Sequence, residues 1–385
     1  MKRDMIRFYW LTGIILLAVC NTTSGQGISL NKSVLIAAAS LKAQAEVQRQ
    51  KATADWAARK LQYKDYTLRF DFKVFGEKPA DGRSLYISLH GGGGTAAAVN
   101  DQQWKNQIGL YQPKEGVYFV PRSPTDTWNM WHDYPMDYFI SEIIKDAIVM
   151  EDVSPDKVYI MGYSAGGDGV YQLAPRLADH FAAAAMMAGH PGDANILNLK
   201  NLPFAIYMGG KDAAYKRNAL AAEWGKQLDS LQSIYKRDFV HETHIYPDMP
   251  HWMQRKDSIA MPWLASFKRN PLPKEIIWVQ DDILRTQFYW LGVPLEDARQ
   301  GMKTRVSVSG QTIYVTENPN ERLFIYLNDK MLNLDKKIKV VISGKQVFNK
   351  KVPRESGIIN ESVASRLDKG LVFTAKLIIS GETVL

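Results

Sequence analysis

"VYIMGYSAGGDGVYQLA", residues 158–174, is the stretch from which the rest of the chain can be read. Its first half is apolar and rich in the residues that favour strands, and its second half carries a helical pattern. Between them, Gly162-Tyr163-Ser164-Ala165-Gly166 fit the pattern Gly-x-Ser-x-Gly. A serine at a sharp strand-to-helix turn needs small residues two positions either side, because a Cβ there would strike neighbouring backbone. Such a turn exposes the hydroxyl at a sheet edge, where the first N–H groups of the helix point with positive polarity. The pattern therefore predicts a nucleophile at Ser164, against the plainer reading of a structural glycine turn.

Outward from this stretch, short apolar runs such as "GVYFVP", "FAAAAMMAG", "LPFAIYMGG" and "VHETHIYP" alternate with helical patterns such as "DYFISEIIKDAIVMED" and "NALAAEWGKQLDSLQSIY". That alternation predicts an α/β fold, a mostly parallel doubly wound sheet over residues 65–272 with helices on both faces. In such sheets the site lies at the carboxyl ends of the strands. "YTLRFDFKVFG" alternates like a half-exposed strand, and "SLYISLHGGGG" reads as one buried on both faces. Upstream, Val34, Leu41, Ala45, Ala52 and Trp56 recur at sevens and fours. This predicts a long helix within residues 26–64, packed on the next domain or paired in a coiled coil. From 273 to 385, strand-like runs separated by turns predict a C-terminal antiparallel β domain, a sandwich, with no helical pattern longer than "PLEDARQGM".

A serine hydroxyl needs a base to take its proton, and the base needs a carboxylate to hold its tautomer. Of the downstream histidines, His180 falls on the helix leaving the turn, while His241 and His244 lie within one strand at a spacing that sends them to opposite faces. His251, in the loop "YPDMPHWMQ" after the last alternating strand, is the preferred base. His190 is the reserve candidate or a pocket-wall residue. Asp212 directly follows a buried strand and is preferred as the acid, with Asp248 as competitor; Asp168, four residues after the serine, reads as a solvated or helix-packing residue.

"HGGGG", residues 90–94, again follows a strand. Acyl transfer develops an oxyanion, and glycines let a backbone N–H approach it with no side chain between. One donor falls to Ala165 and another to Gly91 or Gly92, with His90 holding the loop or bordering the pocket. Neither a GK[ST] nor a dinucleotide glycine spacing follows, so a phosphate cradle is excluded. "HETH", residues 241–244, is one residue short of the zinc spacing and sits on a strand, so no metal is assigned. "TWNMWHDY", residues 127–134, clusters aromatics at the edge where the site should lie. Trp128 and Trp131 are pocket candidates there, along with Tyr163 and Trp252, against the alternative of core packing. His132 shares that ambiguity.

The first residues, "MKRDMIR", are basic and precede an apolar run of about 12, "FYWLTGIILLAV", the layout of a signal peptide over residues 1–25. Cys20, the only cysteine, ends that run in "LAVC", which resembles a lipobox, although Val19 stands where a small residue is usual. Export is expected, secreted or periplasmic, with a membrane partner only if Cys20 is lipidated. The first 25 residues hold three positive charges and one negative, which leaves a dispersed +6 of the chain's +8. No basic block with interleaved aromatics occurs, which argues against nucleic-acid binding.

Together "LHGGGG", "VSPDKVYIMGYSAGGDG", "GGKD" and "PHW" resemble, in order, the α/β-hydrolase superfamily, over roughly residues 65–270. "SPDKVY" before the serine strand is similar to secreted esterases of the polyhydroxybutyrate depolymerase and feruloyl or acetyl-xylan esterase kind. A likeness to hormone-sensitive-lipase-like esterases ranks second, since Tyr163 stands where those have Asp. The resemblance implies a Ser164-Asp212-His251 triad and cleavage of carboxylic esters, small or polysaccharide-linked, without a cofactor. A prolyl-oligopeptidase-like peptidase and an inert glycan-binding protein are the alternatives. The missing disulfides and the β-rich tail depart from the family pattern.

Overall fold

The computed structural model describes residues 27–385; the signal-peptide and lipobox expectations lie outside the described residues. Helix α1 (Leu30–Ala58) opens the described chain and is followed by strands β1 (Lys60–Tyr63), β2 (Tyr66–Phe75) and β3 (Arg83–Leu89). Next come α2 (Ala97–Ile108), β4 (Gly116–Arg122), α3 (Met136–Met150), β5 (Val153–Tyr163), α4 (Ala165–Arg176), β6 (Ala183–Met187), β7 (Phe204–Gly209), α5 (Arg217–Tyr235), β8 (His241–Tyr246) and α6 (Ala260–Ala265). The eight strands form one sheet in the order β1-β2-β4-β3-β5-β6-β7-β8. The β1–β2 and β2–β4 pairs are antiparallel, and β4, β3 and β5 to β8 pair in parallel. Strand β3 is almost wholly buried and β2 buries Leu68 and Phe70 in alternation, as their apolar patterns require.

The N-terminal helix contains the whole predicted pattern but does not fill the segment to residue 64. It stops at Ala58, where Arg59 takes φ 53°, and the next residues turn back as β1 against β2. The expected break at residue 64 thus cuts a hairpin of the main sheet. Of the face read from the sequence, Ala52 and Trp56 are buried, whereas Val34 is 58% exposed. The helix is held on α3 by polar contacts as well: the Gln48 amide donates to Asp146 at 2.6 Å and the Trp56 indole to Glu151 at 2.9 Å. His180, expected on the elbow helix, falls instead in a short 3₁₀ turn, Ala178–His180, because α4 ends at Arg176.

The tail continues with β9 (Glu275–Val279), β10 (Gln287–Phe288), β11 (Leu291–Gly292), β12 (Lys303–Ser309), β13 (Thr312–Glu317), β14 (Leu323–Leu327), β15 (Ile338–Ile342) and β16 (Lys345–Lys350). It ends with α7 (Ser356–Arg366), β17 (Ala375–Ser380) and β18 (Thr383–Val384). Its strands form two five-stranded sheets, β10-β11-β14-β17-β18 and β16-β15-β13-β12-β9. All pairs are antiparallel except β13 with β15. Strand β14 crosses to the other sheet between those two, so they return in the same direction. Ile276, Val306, Ile313 and Val340 from one sheet and Leu291, Ile325, Leu377 and Ile379 from the other lie in a single apolar cluster that also includes the hydrolase core. Helix α7 was not anticipated, because Gly357 and the β-branched Ile358, Ile359 and Val363 weaken its helical signal.

A buried polar seam joins tail to catalytic layer. Asp179 accepts from the Tyr289 N–H at 2.8 Å and pairs with Arg366, and Arg269 bridges Asp156 at 2.8 Å and Asp368 at 2.6 Å. Burial alone would raise the Asp179 carboxyl, but Arg366, with His180 beside it, holds it well below the usual carboxylate range. The Asn198 side-chain amide donates to the Val279 carbonyl and accepts its N–H, so a hydrolase side chain caps the edge of β9.

Candidate active site

Ser164 sits between β5 and α4 with φ 59° and ψ −122°, a conformation costly for a residue with a side chain. Its N–H is tethered to the Met187 carbonyl at 2.9 Å. The flanking glycines permit this. A Cβ on Gly162 would lie 2.2 Å from the Gly166 carbonyl oxygen, and one on Gly166 only 2.1 Å from that of Leu89. The glycine spacing read from the sequence is therefore a packing requirement.

The structure brings the three separated residues together. His251 Nε2 is 3.0 Å from Ser164 Oγ, and His251 Nδ1 is 2.6 Å from Asp212 Oδ2. Asp212 is 3% exposed at its side chain, at the end of β7, while His251 follows β8 and remains 41% exposed. Asp248, the competing acid, lies 3.5 Å from the Lys211 ammonium and is 88% exposed. A serine hydroxyl, an imidazole and a buried carboxylate in this relay can pass the hydroxyl proton to Nε2 while the carboxylate holds Nδ1–H.

The glycine loop packs against the serine: a Cβ on Gly91 would lie 3.2 Å from Ser164 Cβ. Asn100 Oδ1 accepts the Gly93 N–H at 2.9 Å, Asn100 Nδ2 donates to Asp126 at 2.7 Å, and the Gly94 N–H is taken by the Asp126 carbonyl at 2.9 Å. Among the described residues, the Gly91 and Gly92 N–H groups take no intramolecular acceptor. The N–H of Ala165, first residue of α4, precedes any intrahelical acceptor.

Two aromatic pocket candidates prove to be buttresses. His90 is fully buried: its Nδ1–H donates to the Gly91 carbonyl at 2.6 Å and its Nε2 accepts the Ser123 N–H at 3.2 Å. Burial pushes its pKa down to about 4, so the ring is neutral and orients the loop. Trp131, also fully buried, donates its indole N–H to the His90 carbonyl at 2.8 Å. A strand end followed by glycines must be tied down from behind, and these two rings do so. His132 is mostly buried too, and its carbonyl accepts from Arg176 at 3.2 Å.

The other candidates border two clefts that share Gly92 of the glycine loop, and Ser164 lines the first of them. The first, about 390 Å³, is lined by Gly91, Gln103, Leu110, Tyr163, His251 and Trp252. The second, about 400 Å³, is lined by Gly92, Trp128, Ala165, Asp168, His190, Tyr215 and Arg217. Trp128 and Tyr215 are 72% and 77% exposed. Tyr215 and Arg217 escaped the sequence reading because nothing in "KDAAYKR" repeats or alternates; the only cue was their place behind Asp212. The Asp168 carboxylate is not free in solvent but accepts the His190 N–H at 2.6 Å, and burial pushes it up. A larger cavity, about 490 Å³ at Tyr86, Tyr111 and Met261, holds no serine paired with a histidine.

His241 and His244 of "HETH" go to separate partners: His241 Nε2 faces Asp229 at 3.1 Å, and His244 stacks on Tyr207 at 5.2 Å. Among the described residues no three His, Cys, Asp or Glu side chains are grouped to hold a metal, and no helix is long and apolar enough to cross a membrane.

Residues 124–270, which contain the serine, the acid and the histidine, match the dienelactone hydrolase family of α/β-hydrolases. Solved structures similar to the chain include a thermostable esterase, 17% identical with a TM-score of 0.41, covering 55% of this chain and 62% of the esterase. A ferulic acid esterase matches at 15% identity and TM-score 0.39, over 54% of this chain and 95% of that one. Est1E from Butyrivibrio proteoclasticus with ferulic acid bound matches at 14% and 0.36, over 54% and 96%. No curated protein matches the chain.

Proposed function

We propose that this α/β-hydrolase, whose residues 124–270 carry the dienelactone hydrolase family signature, cleaves carboxylic esters through an acyl-enzyme on Ser164. The observation that carries the reading is the relay of 3.0 Å from Ser164 to His251 and 2.6 Å from His251 to Asp212, beside free N–H groups in the glycine loop. Ser164 Oγ attacks the acyl carbonyl while His251 Nε2 takes its proton, and the oxyanion is met by the N–H groups of Ala165 and of Gly91 or Gly92. His251 then hands that proton to the departing alkoxide, which leaves as the alcohol. Water, deprotonated by His251, cleaves the acyl-serine and regenerates the hydroxyl. Asp212 holds the imidazole tautomer throughout.

The finer reading is an exported enzyme acting on esters of plant or microbial polysaccharides or on polyesters. What supports the substrate class is the exposed rings of Trp128 and Tyr215 lining a cleft that also offers Arg217 and Asp168; export rests on the basic and apolar N-terminal sequence. Aromatic faces with a mixed donor and acceptor set suit a hydroxylated or ring-bearing substrate. A fluorophosphonate probe should label the protein at Ser164 and fail to label Ser164→Ala; a label that survives the substitution refutes the assignment. Acetyl, feruloyl and 3-hydroxybutyryl esters, run beside a peptide amide, then rank the substrates. Amide turnover above ester turnover would replace the esterase reading with a peptidase. Mass determination of the exported protein should show a new N-terminus near Gln26, and an unprocessed chain would refute export.

A further inference from the structure

Tyr163 occupies the variable position before the serine, and its hydroxyl is engaged by the backbone of the histidine loop. It donates to the His251 carbonyl at 2.6 Å and accepts the Met253 N–H at 2.9 Å. The ring is 7% exposed, edge-on to the His251 imidazole at 5.9 Å and tilted against Trp252 at 5.5 Å. We infer that Tyr163 is a positioning residue, which sets the distance between the serine and its base by clamping the backbone of the histidine loop.

The argument is one of connectivity. Ser164 leaves β5, whereas His251 follows β8, three strands across the sheet. Behind His251 the loop is tied to its own side of the sheet, by the Gly210 N–H to the Tyr246 carbonyl at 2.7 Å and the Lys211 N–H to the Met249 carbonyl at 3.0 Å. These bonds fix the loop relative to β7 and β8 but not relative to the serine. Tyr163 provides the missing tie, because it is covalently next to Ser164 and bonds to the backbone of His251 itself. The covalent link from serine to tyrosine, the phenol-to-carbonyl bond and the imidazole-to-hydroxyl bond close one ring of atoms. Shifting the loop by an ångström would break both Tyr163 hydrogen bonds at once. The position calls for an oxygen that donates to a carbonyl and accepts an N–H, carried at the far end of a ring; serine and threonine hydroxyls have the chemistry but not the reach, and phenylalanine has the ring but not the oxygen.

The inference rests on the ester-hydrolase reading, and the test separates the two. Tyr163→Phe keeps the ring and removes both bonds. Fluorophosphonate labelling to saturation counts competent sites, and kcat and KM for an aryl acetate are expressed per labelled site. A misplaced base costs on the order of 10²-fold for about 1 Å, so kcat per site should fall about 10- to 100-fold while KM stays within about threefold. The labelling rate should slow in parallel, because it too depends on His251. A kcat per site within about twofold of wild type overturns the inference. So does a variant that fails to fold, which would make the hydroxyl a structural element. A wild-type protein that neither labels nor turns over sinks the ester-hydrolase reading, and the inference with it.

Discussion

Gly166→Ala should disable the site more than it unsettles the fold. The added Cβ would stand 2.1 Å from the Leu89 carbonyl oxygen, 2.6 Å from the Leu89 carbonyl carbon and 3.0 Å from the His90 oxygen. Ordinary contact begins at 3.4 Å, so the end of β3 and the start of α4 must part by about 1.3 Å. Both obstacles are backbone, and no side-chain rotation can relieve them. These are the two segments that present the Gly91, Gly92 and Ala165 N–H groups. Their separation moves the oxyanion donors relative to the serine, a loss of about 10²-fold in kcat. Overpacking at one buried site destabilises by about 1–3 kcal/mol, which leaves a protein of this size folded at room temperature. The measurement is kcat for an aryl ester per fluorophosphonate-labelled site, paired with urea denaturation. Gly357→Ala is the control: it lies in α7, a Cβ there meets nothing within 4 Å, and it should gain about 0.5–1 kcal/mol with kcat unchanged. A Gly166→Ala enzyme within about threefold of wild-type kcat would show that the donors do not depend on that close approach, and the reasoning would fail.

Arg366→Ala would remove the direct ion-pair partner of the Asp179 carboxylate, 1% exposed at its side chain, and leave it His180, the Tyr289 N–H and the more distant Arg285. Breaking such a pair costs about 3–5 kcal/mol by urea denaturation; a loss under about 1 kcal/mol would mean that the seam between tail and hydrolase is not held there. His90 supplies a pH test. Its pKa is lowered from 6.5 to about 4 in the fold, so its stabilising contribution is intact above about pH 6.5 and is lost as pH falls toward 4, because the unfolded chain takes up the proton first. Wild type should therefore lose about 2 kcal/mol more than His90→Gln between about pH 7.5 and pH 5. Parallel pH profiles for the two proteins would refute a buried neutral imidazole.

Legibility followed the range of the interaction. Ser164, Gly162 and Gly166 could be read locally, because the turn they make is a matter of adjacent backbone and lacks room for any Cβ. Asp212 and His251 were legible by position, each directly after a strand of a parallel sheet whose carboxyl ends must converge. For His90 and Trp131 the sequence left pocket and support both open, because it places a ring near the site without saying which way it faces. Burial turned both inward to hold the glycine loop. Helix α7 was missed for the opposite reason: its propensity is weak, and it is stabilised by packing on α1 some 300 residues upstream in the chain.

By itself, the sequence determined the periodicities, the glycine turn and the order of the nucleophile, acid and base, all properties of neighbouring residues on one strand or loop. Only the tertiary structure decided that Tyr163 turns its hydroxyl to the histidine loop, that Tyr215 and Arg217 face Trp128 across a cleft, and that Asp179 joins the tail to the hydrolase. Each of these joins residues tens to hundreds of positions apart: the sheet order, β5 beside β6 beside β7 beside β8, brings the histidine loop within reach of Tyr163, and the docking of the tail brings Arg366 to Asp179.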